Sequence, residues 1–134
     1  MDMAQQSSKE IVQKFLASGL SEEFLTEDFV WRIPPSLVYG ESHDFKRAGI
    51  AAQIHEIHEK IYDVPSMQSK VDFLIGEGEW AAYQFEVNAK NSQGDDYHNY
   101  YCLTFRIRDG KICEAREHVD SICAKQVLLD PAGI

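Results

Sequence analysis

YHNYYCLTFRIRDGKICEAREHVD, residues 97–120, reads as two strands joined at Asp109-Gly110. That dipeptide suits a two-residue hairpin because both turn positions need positive φ. The strands are Tyr97–Arg108 and Lys111–Asp120, rich in aromatic and β-branched residues. Period-two alternation in the second strand puts Ala115, Glu117 and Val119 on one face and Arg116, His118 and Asp120 on the other. Glu117 is thus a carboxylate among small and apolar neighbours, a setting suited to acid/base work. Its cross-strand neighbour depends on the turn. A plain hairpin sets Cys102 against Glu117, whereas a bulge turns Asn99, Tyr101 and Leu103 to that face. Both registers remain open at this stage.

Working toward the N-terminus, Lys70–Ile75 and Trp80–Ala89 read as further strands, with Gly76, Gly78 and Gly94 at turns. The first half is helical. Ser7 with Glu10 forms a capping box, Ile11, Val12, Phe15 and Leu16 form one apolar stripe, and Gly19 ends the helix. Ser21 caps a short turn through Phe24 and Leu25. Phe29–Ile33 is a short strand stopped by Pro34-Pro35. A longer helix is expected from about His43 or Asp44 to Tyr62, striped by Ile50, Ile54, Ile57 and Ile61. Helices followed by strands make an α+β domain, expected as one unit over residues 1–134.

Composition excludes several classes. With 13 Lys+Arg against 22 Asp+Glu, the net charge of −9 would repel nucleic-acid phosphates and anionic lipid, so neither is an expected partner. No apolar run reaches the roughly 20 residues that span a bilayer, and the start MDMAQQSSKE lacks a signal peptide's apolar stretch. Cys102, Cys113 and Cys123 are odd in number and lack C-x-x-C spacing, which suits a reduced, cytoplasmic protein without disulfides. His55-Glu56-Ile57-His58 misses the second histidine of H-E-x-x-H, since Glu59 stands there, so no metal is expected. His58 instead borders the isoleucine stripe, where it could touch a ligand. Nucleotide glycine loops and the G-x-S-x-G elbow are absent.

In Trp80–Ala89 the odd positions are uniformly apolar, while even positions carry Gln84, Glu86 and Asn88. The commoner reading is a half-buried strand with its polar face in water. The sharper one has that polar face lining a pocket, with a carboxylate and an amide available for chemistry.

The spacing Tyr97-x7-Phe105-x3-Asp109-Gly110-Lys111-Ile112, continued by Arg116-Glu117-His118-Val119-Asp120, resembles the last hairpin of NTF2-like proteins. Within that superfamily it is similar to SnoaL-like polyketide cyclases and limonene-1,2-epoxide hydrolase. Phe29-Val30-Trp31-Arg32-Ile33-Pro34 followed by Tyr39-Gly40 resembles their early strand and turn. The resemblance implies a cone-shaped α+β barrel, closed by helices around a deep apolar pocket, and usually a homodimer. It also implies site residues. The two acids of the epoxide hydrolases' acid–arginine–acid relay match Glu86 and Glu117, the relay arginine matches Gln84, and the water-holding tyrosine and asparagine match Val30 and Arg32. Arg32 is expected either to enter the pocket and pair with Glu86 or Glu117, since a buried guanidinium needs a partner, or to sit on the surface at a strand end. The ketosteroid isomerase arrangement fits worse: no carboxylate occurs in residues 31–33, where its base would fall, and its oxyanion acid would fall near Leu103.

The expectation is a cofactor-independent acid/base enzyme of cyclase or isomerase type, acting on an apolar polyketide- or terpenoid-like intermediate. Glu86 and Glu117 form its catalytic pair, oriented by Arg32 or Gln84. Trp31, Tyr39, Asn99, Tyr101, Leu103 and His58 contact the substrate. Epoxide opening, by hydrolysis or by an internal nucleophile, is a second reading. A non-catalytic small-molecule-binding or dimerisation module is a third. Dimerisation is expected through the sheet.

Overall fold

The computed structural model describes residues 7–37 and 44–134. Helix α1 (Ser8–Ala17) begins as the capping box requires, with the Ser7 hydroxyl accepting from the Glu10 N–H at 3.2 Å. A 3-10 turn at Glu22–Phe24 leads into β1 (Leu25–Arg32), which starts earlier than its alternation suggests. A two-residue strand, β2 (Phe45–Lys46), pairs with β1 where the sequence reading placed the start of a helix. That helix, α2 (Ile50–Ile61), starts only after Gly49, whose φ of 68° is not helical. The rest is long strands: β3 (Tyr62–Glu77), β4 (Trp80–Asn91), β5 (Asp96–Arg108) and β6 (Lys111–Val119).

The sheet runs β2-β1-β6-β5-β4-β3, antiparallel except where β1 lies parallel to β6. Asp109 and Gly110 both have positive φ, at 53° and 78°, as the primed hairpin turn requires. Immediately beyond it the register shifts by one residue, and Leu103 pairs with Glu117 while Tyr101 pairs with Val119. The bulged register therefore holds. Further shifts in β3, at Asp63/Gln68 and Val71/Phe73, bend the sheet so that both helices seat on one side.

On that side Ile11, Val12 and Phe15 of α1 pack against Ala81, Phe105, Ile112 and Ala115. Phe15 meets Phe105 edge to face at 6.3 Å. After β6 the chain forms two turns the sequence reading did not foresee: α3 (Ser121–Ala124), capped by Asp120, and a π-helical turn at Lys125–Leu129. They bury Ala124, Leu128 and Leu129 against Tyr97, Tyr101 and Val87, closing the end of the cone that α1 leaves open.

Gly76 lets α1 approach β3 closely. A Cβ there would lie 2.6 Å from Ser8 Oγ and 2.9 Å from the Lys9 backbone nitrogen. Gly76→Ala should therefore push the helix off the sheet and cost about 1–3 kcal/mol, read as a lowered urea midpoint with an unchanged slope.

Candidate active site

Helix α2 and the concave face of the sheet do not close on each other completely. A cavity of about 230 Å³ remains between them. The helix contributes Ile54, Ile57, His58 and Ile61, so the middle of its isoleucine stripe lines a space while Ile50 and Ile61 anchor it in the core. The sheet contributes Trp31 from β1, Tyr62 and Met67 from β3, Tyr83, Phe85 and Val87 from β4, Tyr101 and Leu103 from β5, and Glu117 from β6. Glu117 is the one carboxylate among these lining residues. It also borders a second cleft, formed with Arg32, Pro34, Asp44, Arg116 and His118.

The expected carboxylate pair is not assembled. The odd, apolar face of β4 lines the cavity, and Glu86 and Gln84 project from the opposite face. There Glu86 Oε1 lies 2.6 Å from His98 Nε2, and Gln84 Nε2 donates to Asp72 at 3.3 Å. Strand alternation leaves no other choice: once Tyr83, Phe85 and Val87 face inward, their even neighbours face out. Arg32 is on that outer side as well. It donates to Glu114 at 2.8 Å and sits 3.6 Å from Asp44, so its partners are neither Glu86 nor Glu117. With Arg116 also donating to Glu114 at 3.2 Å, this carboxyl is held below its ordinary range, chiefly by the Arg32 hydrogen bond.

Of the expected substrate contacts, Trp31, Tyr101, Leu103 and His58 line the cavity. Tyr39 lies outside the described residues. Asn99 is buried behind the wall, not in it. Its Nδ2 donates to Tyr97 Oη at 2.8 Å and to the Asp120 carbonyl at 3.0 Å, while its Oδ1 accepts from the Tyr100 N–H at 2.8 Å. Tyr97 Oη is 2.7 Å from Tyr101 Oη, which is 3.1 Å from Tyr62 Oη. Tyr62 and Tyr97 were missed by the sequence reading. Tyr97 shares its face with Asn99, Tyr101 and Leu103 by simple alternation, but Tyr62 follows directly on the isoleucine stripe and reads as the end of a helix. On α2, His55 pairs with Glu59 at 2.9 Å, while His58 packs edge-on against Tyr62 with ring centroids 5.4 Å apart.

These surroundings set protonation. Burial first, and the neighbouring phenols second, hold Tyr62 and Tyr101 well above the usual tyrosine range. Burial pushes Tyr97 up to about 12, and the charge of Glu117 adds to the rise at both Tyr62 and Tyr97. All three phenols are therefore neutral donors at physiological pH. Burial, with His55 nearby, lowers His58, which keeps its imidazole neutral too. The linkage follows directly: from about pH 10 the unfolded chain ionises its tyrosines, whereas folded Tyr97 holds its proton to about 12. Stability should fall as pH rises through that window, and Tyr97→Phe should flatten the fall, measurable by urea unfolding at stepped alkaline pH. The indole Nε1 of Trp31 is buried with no acceptor among the described residues, a group that costs about 1–3 kcal/mol to leave unmade.

A bent sheet closed by helices around an apolar cavity is the architecture of NTF2-like proteins, and solved structures match it. An NTF2-like protein from Burkholderia thailandensis superposes with a TM-score of 0.77 over 92% of this chain and 98% of its own, at 13% identity. A candidate SnoaL-like polyketide cyclase from Jannaschia gives 0.67, covering 96% of each chain at 14% identity. IdmH, a candidate polyketide cyclase from Streptomyces antibioticus, gives 0.67 over 96% of this chain and 100% of its own, at 16% identity. At these identities the likeness establishes the fold. The sequence signature of the SnoaL-like domain matches residues 18–115, and the chain belongs to that family. No curated protein sequence matches it. No helix among the described residues is long and apolar enough to cross a membrane.

Proposed function

We propose that the protein is a cofactor-independent acid/base enzyme of cyclase or isomerase type, in which Glu117 moves a proton to and from carbon on an apolar, ring-bearing substrate held in the cavity. The observation that carries this reading is Glu117 itself: the one carboxylate in a wall made mostly of apolar side chains and neutral phenols, with His58 and Ser69 as its other polar members. Carbon acids next to a carbonyl release a proton to such a base when a donor meets the developing negative charge on oxygen. Tyr62, Tyr101 and neutral His58 are among the donors that line the same cavity. The acid–arginine–acid relay of epoxide hydrolysis finds less support, because Glu86 and Gln84 stand on the far side of the sheet.

The test is solvent-deuterium exchange at the acidic carbon of an apolar cyclic 1,3-diketone. The full-length protein should accelerate exchange over buffer by about 10²-fold or more, the lower end of general-base catalysis. No acceleration across a set of such diketones would leave the cavity a binding site without chemistry.

The protein is further proposed to act as a cytoplasmic homodimer, paired through the outer face of the sheet. Phe73, Ile75 and Trp80 expose 38%, 59% and 47% of their surface there, beside the polar row of Arg106, Arg116 and His118. Light scattering at micromolar concentration should give a dimer, and Trp80→Glu should shift it toward monomer. A wild-type monomer would contradict this assignment.

A further inference from the structure

Among the described residues, Glu117 alone lines both the cavity and the cleft beside Arg32 and Arg116. The backbone explains why. Strand β1 runs parallel to β6 only as far as Arg32, which pairs with Arg116. Pro34 and Pro35 follow, and proline cannot donate to a ladder, so the strand ends there. No strand among the described residues then flanks residues 117–119 on that edge, and the two sides of the sheet meet around Glu117. The cleft opens at this β1–β6 end, away from the Phe73, Ile75 and Trp80 patch on β3 and β4.

The two spaces differ in size and chemistry. At interior packing density, the cavity of about 230 Å³ holds about a dozen non-hydrogen atoms, a bicyclic skeleton and little more. The cleft, of about 450 Å³, is polar. Two guanidiniums share one acid there. Glu114 accepts from Arg32 Nε at 2.8 Å through one oxygen and from Arg116 Nε at 3.2 Å through the other. Arg116 makes no other hydrogen bond to a described residue, so the N–H groups on its two terminal nitrogens are spare donors. Asp44 accepts from the Ile33 N–H at 3.3 Å and lies 3.6 Å from Arg32. The charges lining the cleft cancel, Arg32 and Arg116 against Asp44 and Glu117, and Glu114 adds a negative charge behind them. The cleft therefore offers donors without a net attraction for an anion.

We propose that the substrate spans both spaces, with an apolar bicyclic ring in the cavity and a side chain whose neutral carbonyl accepts from Arg116 in the cleft. The substrate class is then a bicyclic skeleton carrying an oxoalkyl chain. This deepens the reading of Glu117 as the base and rests on it: the junction of ring and chain passes the carboxylate, so the acidic hydrogen sits at that junction. Arg116 becomes a substrate-binding residue that selects against bare hydrocarbons, and the balanced charges give acids no advantage.

The probes are naphthalenes carrying alkyl chains of several lengths, the same chains with one ketone, and the same chains ending in a carboxylate. Each is titrated into the full-length protein by naphthalene fluorescence. The best ketone should bind about tenfold more tightly than the hydrocarbon of equal length, the low end for a charged donor. The carboxylate should bind no more tightly than that ketone. Arg116→Met keeps an apolar stem and removes the donors, so it should lower the ketone to the hydrocarbon's affinity. Should that variant fail to fold, Arg116→Gln is too short to reach the same oxygen and should do likewise. Arg108→Met, on the hairpin and paired with Asp28, should keep the full preference. Equal affinity of ketone and hydrocarbon at every chain length overturns the two-part site, as does a preference retained when Arg116 is replaced. A carboxylate that binds more tightly than the ketone overturns the neutral side chain. The arms separate the two ideas. A preference lost in Arg116→Met, with deuterium exchange indifferent to Glu117→Gln, supports the two-part site and overturns the base. No preference, with exchange lost in Glu117→Gln, overturns the two-part site and leaves the base.

Discussion

Glu117→Gln is expected to slow catalysed deuterium exchange by at least about a hundredfold while leaving the melting temperature close to wild type. General acid/base contributions run at about 10²–10⁴-fold, and the amide keeps the carboxylate's shape while losing its basicity. The same change at Glu86 serves as the contrast. Glu86 faces outward beside His98, so Glu86→Gln should leave turnover near normal. Asp120→Asn is a second control, just beyond the end of β6. Its side chain caps α3 through the Cys123 N–H at 3.1 Å, a role asparagine fills equally well. Strong loss in Glu86→Gln as well would mean that the outer face takes part in the chemistry.

Phe105→Ala should produce the largest loss of stability. The ring is fully buried, packs edge-on against Phe15 and sits where α1, β5 and β6 meet. Removing it takes away transfer free energy and leaves a hole that neighbouring aromatics cannot fill, a combination that costs about 3–5 kcal/mol. Urea unfolding followed by circular dichroism measures it. A cost below about 1 kcal/mol would mean that α1 collapses onto the sheet more freely than its packing indicates.

The strands and the two main helices were legible because their apolar periods are strong and their turns carry glycine, proline and capping residues. The bulge beyond Asp109-Gly110 was legible only as one of two registers, since a single extra residue changes no local preference. The C-terminal turns were not seen: Ser121–Leu129 is too short for periodicity, and its packing on Tyr97 and Tyr101 is a tertiary fact. Glu117 was found because its strand face is small and apolar. Glu86 was misplaced for a related reason: matching it to a relative's acid overrode the alternation of β4, which already pointed Tyr83, Phe85 and Val87 inward. The hydroxyl chain joins the start of β3 to the start of β5, a pairing across 39 residues between Tyr62 and Tyr101 that no local pattern announces.

The proposed role of Glu117 as the base is tested by a crystal structure of the protein with a cyclic 1,3-diketone bound. The acidic carbon should lie about 3–3.5 Å from a Glu117 carboxylate oxygen, with the ligand oxygen within hydrogen-bond reach of Tyr62 Oη or His58. A ligand seated on the outer face beside Glu86 and His98, or one in the cavity with its acidic carbon turned away from Glu117, would contradict it.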